Sequence, residues 1–435
     1  MRNYIWAVAL ALFLAPAIVA RPQQEKMTEP PPPWAYGFTA PANPAGGAPA
    51  AAPAAAAPGP EDTTPKHVAT GSTLSFTVAQ AGDRFGPADW YPGDHPMMPD
   101  LVAHGRKPDI WACGLCHYPN GKGRPENAGV SGLPVSYFIQ TMNDFKNGAR
   151  TSADTRKANT GRMIGFAKAM SDEDIKAAAE YFGAIKWSQW IKVVETDTVP
   201  KTRNEGGMFL ALEGNDKEPL GQRIMEVPVN TEGTAQLRDP HSGFIAYVPV
   251  GSVKKGEALV TTGGNGKTTA CSVCHGGVLQ GIGPVPVIAG RGPSYLARQL
   301  YDMKAGVRNG EWTQLMKPVV AKLTNDDIVA VSAYLASLPV VATSTTAAPA
   351  GTGGNALVAQ GQAKFNSYGC DQCHGAKGEG TDDAPDLITT KKNAEQIAAF
   401  LEKPDSDARV KGMPNIAADS PDLQALVAFV LSLKK

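Results

Sequence analysis

Outside three short motifs, the 435-residue chain has no cysteine, so no thiol is available for a lipid anchor behind its apolar N-terminus. Lys and Arg together number 41, as do Asp and Glu, and the zero net charge gives no support to nucleic-acid binding. Long hydrophobic runs are also scarce, because no segment after the first 20 residues is long and apolar enough to span a membrane. These absences argue against a nucleic-acid-binding protein and against a protein that crosses the membrane repeatedly.

All six cysteines occur in three copies of one motif, C-x-x-C-H. Cysteines at i and i+3 share one face of a helical turn, so both thiols can bond to one porphyrin edge while the next histidine turns onto the iron. A thioredoxin-like site would use a single pair, and a zinc site would need two pairs to converge. The motifs therefore predict three haem c groups, with these covalent attachment points and iron ligands: Cys113, Cys116 and His117; Cys271, Cys274 and His275; Cys370, Cys373 and His374.

The N-terminus is expected to direct export. Arg2 precedes a nearly continuous apolar run, Tyr4–Val19, and small residues that could mark a cleavage site follow at its end. Residues 1–20 are therefore predicted to be a cleaved signal peptide or an uncleaved membrane anchor. Both alternatives place the rest of the chain outside the cytoplasm, in the periplasm. Residues 21–83, rich in Pro and Ala, are predicted to be a disordered tether.

The first two motifs belong to an internal repeat with a constant offset of 158 residues. The second copy then lacks five residues, so the offset becomes 153. With this offset Met163 matches Met316, and the helix-capping Ser171 matches Thr324. The landmarks with the constant offset are Cys113 and Cys271, Tyr137 and Tyr295, and Asp144–Arg150 and Asp302–Arg308. This repetition predicts two duplicated domains, each closing with a helix.

The predicted fold is mainly α, with three small all-α domains in tandem and a β-rich insertion between the first and the second. Strands are expected near Trp190–Val194, Gln222–Val227 and Gly243–Val248. In the third domain, Pro421 stands at a plausible first position of the closing helix. The predicted boundaries are 84–189 for the first domain, 190–252 for the insertion, 253–340 for the second domain, 341–355 for a linker and 356–435 for the third domain.

A second axial iron ligand is expected shortly before each closing helix. Met163, Met316 and Met413 stand at that position, and a thioether is a soft ligand that raises the reduction potential of haem iron. Other methionines are interpreted as core residues, because Met142 and Met303 do not align and Met170 aligns with Leu323. The loop histidines upstream of the first motif, His95 and His104, are interpreted as loop or surface residues rather than ligands.

Together these residues resemble the class I c-type cytochromes, whose order is haem motif, loops, methionine and closing helix. The first two domains resemble the dihaem cytochromes c built from two such domains, and the phrase Ala289–Gln299 is typical of that group. The resemblance implies that a proline carbonyl accepts a hydrogen bond from each ligand histidine. Pro286 and Pro385 are the candidates, and Pro125–Gly129 is the matching stretch of the first domain.

The resulting hypothesis is an exported carrier, not an enzyme, that passes single electrons between redox partner proteins through three haems. Two alternatives remain open from the sequence. The chain could be the cytochrome subunit of a periplasmic dehydrogenase complex, or a haem peroxidase in which one iron keeps an open position.

Overall fold

The computed structural model describes residues 30–41, 62–340, 355–375, 377–381, 384–410, 413, 416 and 421–434. The predicted signal or anchor, residues 1–20, and residues 341–354 of the predicted linker lie outside the described residues. Within the described ranges, the structure shows no helix with the length and apolar character needed to cross a membrane.

Two parts of the range predicted as a disordered tether are folded. Pro33–Tyr36 forms a 3-10 helix whose Trp34, Ala35 and Tyr36 are buried, and the capping box of Thr77 opens helix α1, Val78–Ala81. The prediction of disorder is therefore wrong for residues 30–41 and 62–83. The average composition of residues 21–83 did not reveal these folded parts. In the first of them, Trp34 and Tyr36 supply apolar surface that the neighbouring Pro and Ala residues lack.

The first helical unit surrounds the first motif. Its closing helix begins directly after the predicted cap, Ser171, whose side chain accepts from the amide of Asp174. One apolar face of that helix, with Ile175, Ala178 and Phe182, lies in the core of the unit. The helices of this unit are α2 Asp100–Ala103, α3 Cys113–His117, α4 Val135–Lys146, α5 Ala158–Ala169 and α6 Asp172–Ala184.

The insertion is β-rich, as predicted. A three-stranded sheet has the order β1-β7-β6, with β1 and β7 parallel and β6 antiparallel to β7. The pairs β2-β5 and β3-β4 are separate antiparallel ribbons. The elements are β1 Ile191–Glu195, β2 Thr198–Pro200, β3 Thr202–Glu205, β4 Met208–Ala211, β5 Lys217–Pro219, β6 Met225–Pro228, α7 Thr231–Ala235 and β7 Phe244–Val248.

The second helical unit repeats the plan of the first and adds a full opening helix. Its closing helix begins after the predicted cap, Thr324, in a capping box with Asp327. The opening helix packs on the closing helix. The elements are α8 Ser252–Thr262, α9 Ser272–His275, α10 Pro293–Lys304, a 3-10 helix Glu311–Leu315, α11 Lys317–Ala321 and α12 Asn325–Ser337.

The third helical unit has the same opening-to-closing helix contact, between α13 and α17. Its closing helix begins at Pro421, as predicted. Phe365, Leu426 and Phe429 lie at the centre of its core. The helices are α13 Asn355–Ser367, α14 Cys370–His374, α15 Ala394–Glu402, α16 Ser406–Val410 and α17 Pro421–Ser432.

The first and second units meet through symmetry-related backbone contacts. The amide of Thr151 donates to the carbonyl of Val307 at 2.8 Å, and the amide of Asn309 donates to the carbonyl of Ala149 at 2.7 Å. The two donors, Thr151 and Asn309, are 158 residues apart, and so are the two acceptors, Ala149 and Val307. This is the offset of the sequence repeat. The duplicated units therefore pack as an internal pseudo-dimer.

Candidate cofactor sites

Each C-x-x-C-H motif folds as one short helical turn. Helices α3 and α14 cover the whole motif, and α9 begins directly after Cys271. None of the six cysteines forms a disulfide. The predicted turn is confirmed at all three places, and it places the two cysteines of each motif on one face of the turn.

The three motif histidines have a common hydrogen bond. Nδ1 of His117, His275 and His374 lies 2.8 Å from a carbonyl oxygen, in each case that of the residue 11 positions later. Because a carbonyl can only accept, Nδ1 carries the hydrogen, and Nε2 keeps the lone pair that a metal ligand needs. The acceptors Pro286 and Pro385 confirm the prediction.

In the first unit the acceptor is Ala128, which lies within the predicted matching stretch Pro125–Gly129 but is not the proline that the resemblance implied. The signal was present in the spacing, because Pro286 and Pro385 both follow their histidine by 11 residues. A second hydrogen bond, between backbone groups, occurs at the same spacing in all three units. The amides of Gly123, Gly281 and Gly380 donate to the carbonyl of the motif histidine six residues earlier. The loop after each motif therefore has one backbone design, whether or not proline stands at the acceptor position.

Burial shifts the pKa of several motif side chains. Loss of solvent lowers the pKa of His117 and of His275 below the ordinary value, which the hydrogen bonds to the carbonyls only partly offset. Burial also raises the pKa of the Cys113 thiol to about 12 and that of Cys271 and Cys370 to about 11.

The first motif opens onto a cavity of about 290 Å³. His117 and Met163 both line it, so the structure brings the predicted axial pair of the first unit to one site. Met163 lies on α5, against the core of the unit. Neither His95 nor His104 lines this cavity. His95 contacts Asp89 at 3.2 Å, and Nδ1 of His104 lies 3.3 Å from the carbonyl oxygen of Phe85.

The other two predicted methionine ligands also lie at the edges of cores. Met316 follows the second 3-10 helix directly and is half-buried against the core that includes Val320 and Leu323. Met413 is half-buried against the core of the third unit. The methionines interpreted as core residues, Met142, Met170 and Met303, are indeed buried.

The lining of the cavity suits a flat apolar ring with carboxylate substituents, which is the chemistry of haem. One part of the lining is apolar and includes Leu115, Val130 and Phe138. Another part is cationic, with six basic side chains against the two acids Glu126 and Asp302. This excess of positive charge can neutralise two propionates in a partly buried site. The basic residues are Arg124, Arg150, Lys157, Arg162, Arg238 and Arg298.

Part of this cationic lining comes from outside the first unit. Arg298 lies on α10 of the second unit, and Arg238 lies in the insertion. Lys157 is buried, and burial together with the nearby Arg298 lowers the pKa of Lys157 to about 7. The site of the first unit is therefore assembled by three parts of the chain, which the sequence did not show.

A buried polar network connects the first two units beside this cavity. Arg150 and Arg308 both donate to Oε1 of Gln299, at 2.7 and 3.0 Å. Each arginine also donates to the tyrosine of the opposite unit, Arg150 to Tyr295 at 3.4 Å and Arg308 to Tyr137 at 2.7 Å. The two arginines are 158 residues apart, and so are the two tyrosines. The segment repeated in the sequence therefore forms the interface between the two units.

Three repeated turns that each present a carbonyl-oriented histidine beside a pair of thiols define a c-type cytochrome. The chain belongs to the class I c-type cytochrome family, whose cofactor is haem c. The family described as cytochrome c matches residues 253–339, and the family described as cytochrome c oxidase, cbb3-type, subunit III matches residues 356–430.

Among individual proteins, the chain is similar to cytochrome c4 of Thiocapsa roseopersicina, with 31% identity over 42% of this chain and 98% of the relative. It is 26% identical to cytochrome c4 of Pseudomonas aeruginosa, over 52% of this chain and 83% of the relative. It is also 26% identical to the protein named thiosulfate dehydrogenase electron acceptor of Thiomonas intermedia, over 55% of this chain and 85% of the relative.

Proposed function

We propose that the protein is an exported trihaem electron carrier, with one haem c in each helical unit. The observation that carries the proposal is the shared geometry of the three motif histidines, each with Nδ1 held 2.8 Å from a carbonyl 11 residues later. A haem held there supplies an iron that takes up and releases one electron. The protein needs no nucleophile or general base for this function.

The residues have separate roles in this proposal. Cys113, Cys271 and Cys370 form the first thioether of each site, and the second cysteine of each motif forms the other. The oriented histidine, together with Met163, Met316 or Met413, would hold the iron of each site. The apolar lining excludes water, and the basic residues of the first cavity stabilise propionate charge.

A second candidate function is that of a cytochrome subunit within a periplasmic dehydrogenase complex. It is favoured by the similarity to a protein named thiosulfate dehydrogenase electron acceptor. In both readings the chain transfers electrons and its partners are redox proteins. Co-purification with a dehydrogenase from periplasmic extract would favour the subunit over the free carrier.

The test is a haem count combined with methionine variants. Pyridine haemochrome quantification of purified protein should give three covalent haems per chain. Met163→Ala, Met316→Ala and Met413→Ala should each remove the sulfur-to-iron charge-transfer band of one site and produce one high-spin iron that binds cyanide rapidly, because the thioether ligand is lost.

Met142→Leu is the matched control, since Met142 lines the same cavity as Met163 but lies in the core. It should retain all three bands. Fewer than three haems would contradict the trihaem carrier. A wild-type protein with a high-spin iron that reacts rapidly with peroxide would favour a peroxidase.

A further inference from the structure

Four large apolar side chains of the second unit, three of them in the motif or in the loop directly after it, are exposed. Val273, Val278, Ile282 and Leu315 are 70, 65, 54 and 76% exposed, and we call them the open face. Val273 lies inside the motif, Val278 and Ile282 lie in the loop that follows, and Leu315 directly precedes Met316. Clustered exposure of large apolar side chains indicates an interaction surface rather than scattered surface residues.

The first unit offers a matched comparison within the same chain. The amides of Gly123 and Gly281 donate to the carbonyls of their motif histidines, so the 158-residue offset holds through this loop. The counterpart of Val273 is Leu115, which is 3% exposed. The counterparts of Val278 and Ile282 are Asn120, 5% exposed, and Arg124, whose side chain is 10% exposed.

The insertion covers this face of the first unit. Arg238 donates to the carbonyl of Leu115 at 2.8 Å, and Arg124 donates to the carbonyl of Thr234 at 3.4 Å. Trp190 packs edge-on against Tyr118, with ring centroids 6.2 Å apart. The two duplicated units therefore differ in one respect: the motif face of the first is closed by protein, and that of the second is open and apolar.

The length of the connection between the second and third units points to an occupant. Fourteen residues, 341–354, separate Val340 from Asn355, and a chain of that length spans at most about 50 Å. The radius of gyration of a unit this size is about 12 Å, so the third unit can reach any side of the second. Tethering also gives an effective concentration in the millimolar range, at which a small apolar contact is sufficient.

The third unit has a side chain suited to this contact. Tyr368 lies two residues before Cys370 and is 39% exposed, and its hydroxyl donates to Asp422 at 2.9 Å. A ring fixed in this way presents apolar surface at little cost in side-chain entropy. In the loop after the third motif, the counterparts of Val278 and Ile282 are Lys377 and Thr381, which are exposed and polar.

We propose that the third unit docks intramolecularly on the open face of the second unit, with Tyr368 as its apolar contact. In this arrangement the second unit lies between the first unit, whose motif face is closed, and the third unit. The purpose of this contact rests on the proposed electron-carrier function, but the contact itself can be detected without any redox measurement.

The experiment is photo-crosslinking in the haem-loaded full chain with p-benzoylphenylalanine in place of Val278. The expected product has the mass of a single chain and joins position 278 to a peptide from residues 355–434. The matched control places the same residue at Val229, which is 64% exposed on the insertion and lies outside the open face. The control should give no crosslink to the third unit.

A second variant tests the apolar nature of the contact. Ile282→Glu, added to the crosslinking chain, should lower the yield about tenfold, because a carboxylate loses solvent when the face is covered. Val250→Glu, at a position 63% exposed elsewhere, should leave the yield unchanged. Crosslinks confined to neighbouring segments of the second unit, or found only in products of twice the mass, would overturn the proposal. Neither result would alter the haem count, so this test and the test of the proposed function have independent outcomes.

Discussion

At the scale of single residues, the closing helices of the first two units depend on one aspartate each. Asp174 and Asp327 occupy the third helical position and complete the capping boxes of Ser171 and Thr324. Asp174 accepts two hydrogen bonds from Arg106, at 2.7 and 3.0 Å. Asp327 is 1% exposed in its side chain and pairs with Lys267 and, at 3.0 Å, with Lys255. An anion in the first turn also interacts favourably with the helix dipole.

Asp327→Asn should lower the free energy of unfolding by about 1–3 kcal/mol at pH 7, because two lysines lose their partner and both are partly exposed to screening water. Thermal unfolding of the haem-loaded protein measures the loss. Asp326→Asn, one position earlier and exposed, is the control and should change little. A loss of equal size in both variants would show that the ion pairs of Asp327 with Lys255 and Lys267 add no stability.

The stabilisation by Asp327 should also depend on pH. Burial raises the pKa of Asp327, but hydrogen bonds from Lys267 and Thr324 outweigh burial and hold it well below the ordinary value. The folded pKa is thus lower than the unfolded one, near 4, so the contribution is present above about pH 4 and is lost as pH falls through the folded pKa. The difference in stability between wild type and Asp327→Asn should therefore shrink in acid. A difference that stays constant down to the acid transition would contradict this linkage.

At the scale of elements, glycine determines how closely the opening and closing helices approach. A Cβ added to Gly256 would lie 2.0 Å from the carbonyl oxygen of Ala330, and one added to Gly361 would lie 1.8 Å from that of Ala425. Both contacts are with helix backbone, which cannot move aside as a side chain can. The same helix crossing is therefore built in the second and third units, at α8 with α12 and at α13 with α17.

Gly256→Ala and Gly361→Ala should each destabilise their unit by about 1–3 kcal/mol, because the new methyl group forces the helices apart. Gly165→Ala is the matched control, since nothing lies within 4 Å of a Cβ at that position in helix α5. It should stabilise by up to about 1 kcal/mol through helix propensity. Chemical denaturation followed by circular dichroism distinguishes the two effects. Stabilisation by all three alanines would disprove the close crossing.

The ordered N-terminal segment is an element that joins distant parts of the chain. The Tyr36 hydroxyl donates to Asp302 at 2.8 Å, and Arg298 donates to the carbonyl of Ala35 at 2.8 Å. On its other side, Asn204 of strand β3 donates to the carbonyl of Gly37 at 2.9 Å. The segment therefore links α10 to the insertion, and it orients Asp302 and Arg298, two residues that line the first cavity.

At the scale of the whole molecule, the side-chain amide of Gln299 lies at the contact between the two duplicated units. Oε1 of Gln299 accepts from both Arg150 and Arg308, which are 7 and 6% exposed. Gln299→Leu should therefore lower the free energy of unfolding by about 2–4 kcal/mol, since two buried guanidinium groups lose an acceptor. Unfolding should also become less cooperative between the two units.

The control for Gln299→Leu is Gln140→Leu, which removes one hydrogen bond, to Asp144 at 2.9 Å, at a half-buried position. Differential scanning calorimetry of both variants gives the comparison. If Gln299→Leu cost no more than Gln140→Leu, the interface would depend on the backbone contacts of Thr151 and Asn309 rather than on the arginine network.

Local spacing in the sequence determined the attachment turns, the repeat and the capped closing helices. The C-x-x-C-H motif and the caps Ser171 and Thr324 make their contacts within a few residues, so their geometry follows from a helical turn. The repeat is read directly from the constant 158-residue offset between matching residues. Pro286 and Pro385 were predicted as acceptors from the resemblance to the class I c-type cytochromes, and the structure confirms both. Ala128 could not be identified from residue type, because the contact uses a backbone carbonyl that any residue supplies.

Only the tertiary structure decided which residues from distant parts of the chain share a site. Three features depend on contacts between residues far apart in sequence. They are the position of Arg298 in the first cavity, the hydrogen bond from Tyr36 to Asp302, and the close approach of Gly256 to Ala330 at the helix crossing. The same holds for the difference between the closed and open motif faces, because Leu115 and Val273 are both apolar and stand at equivalent positions. What buries one and exposes the other is the packing of the insertion, which bonds Arg238 to the first motif and leaves the second uncovered.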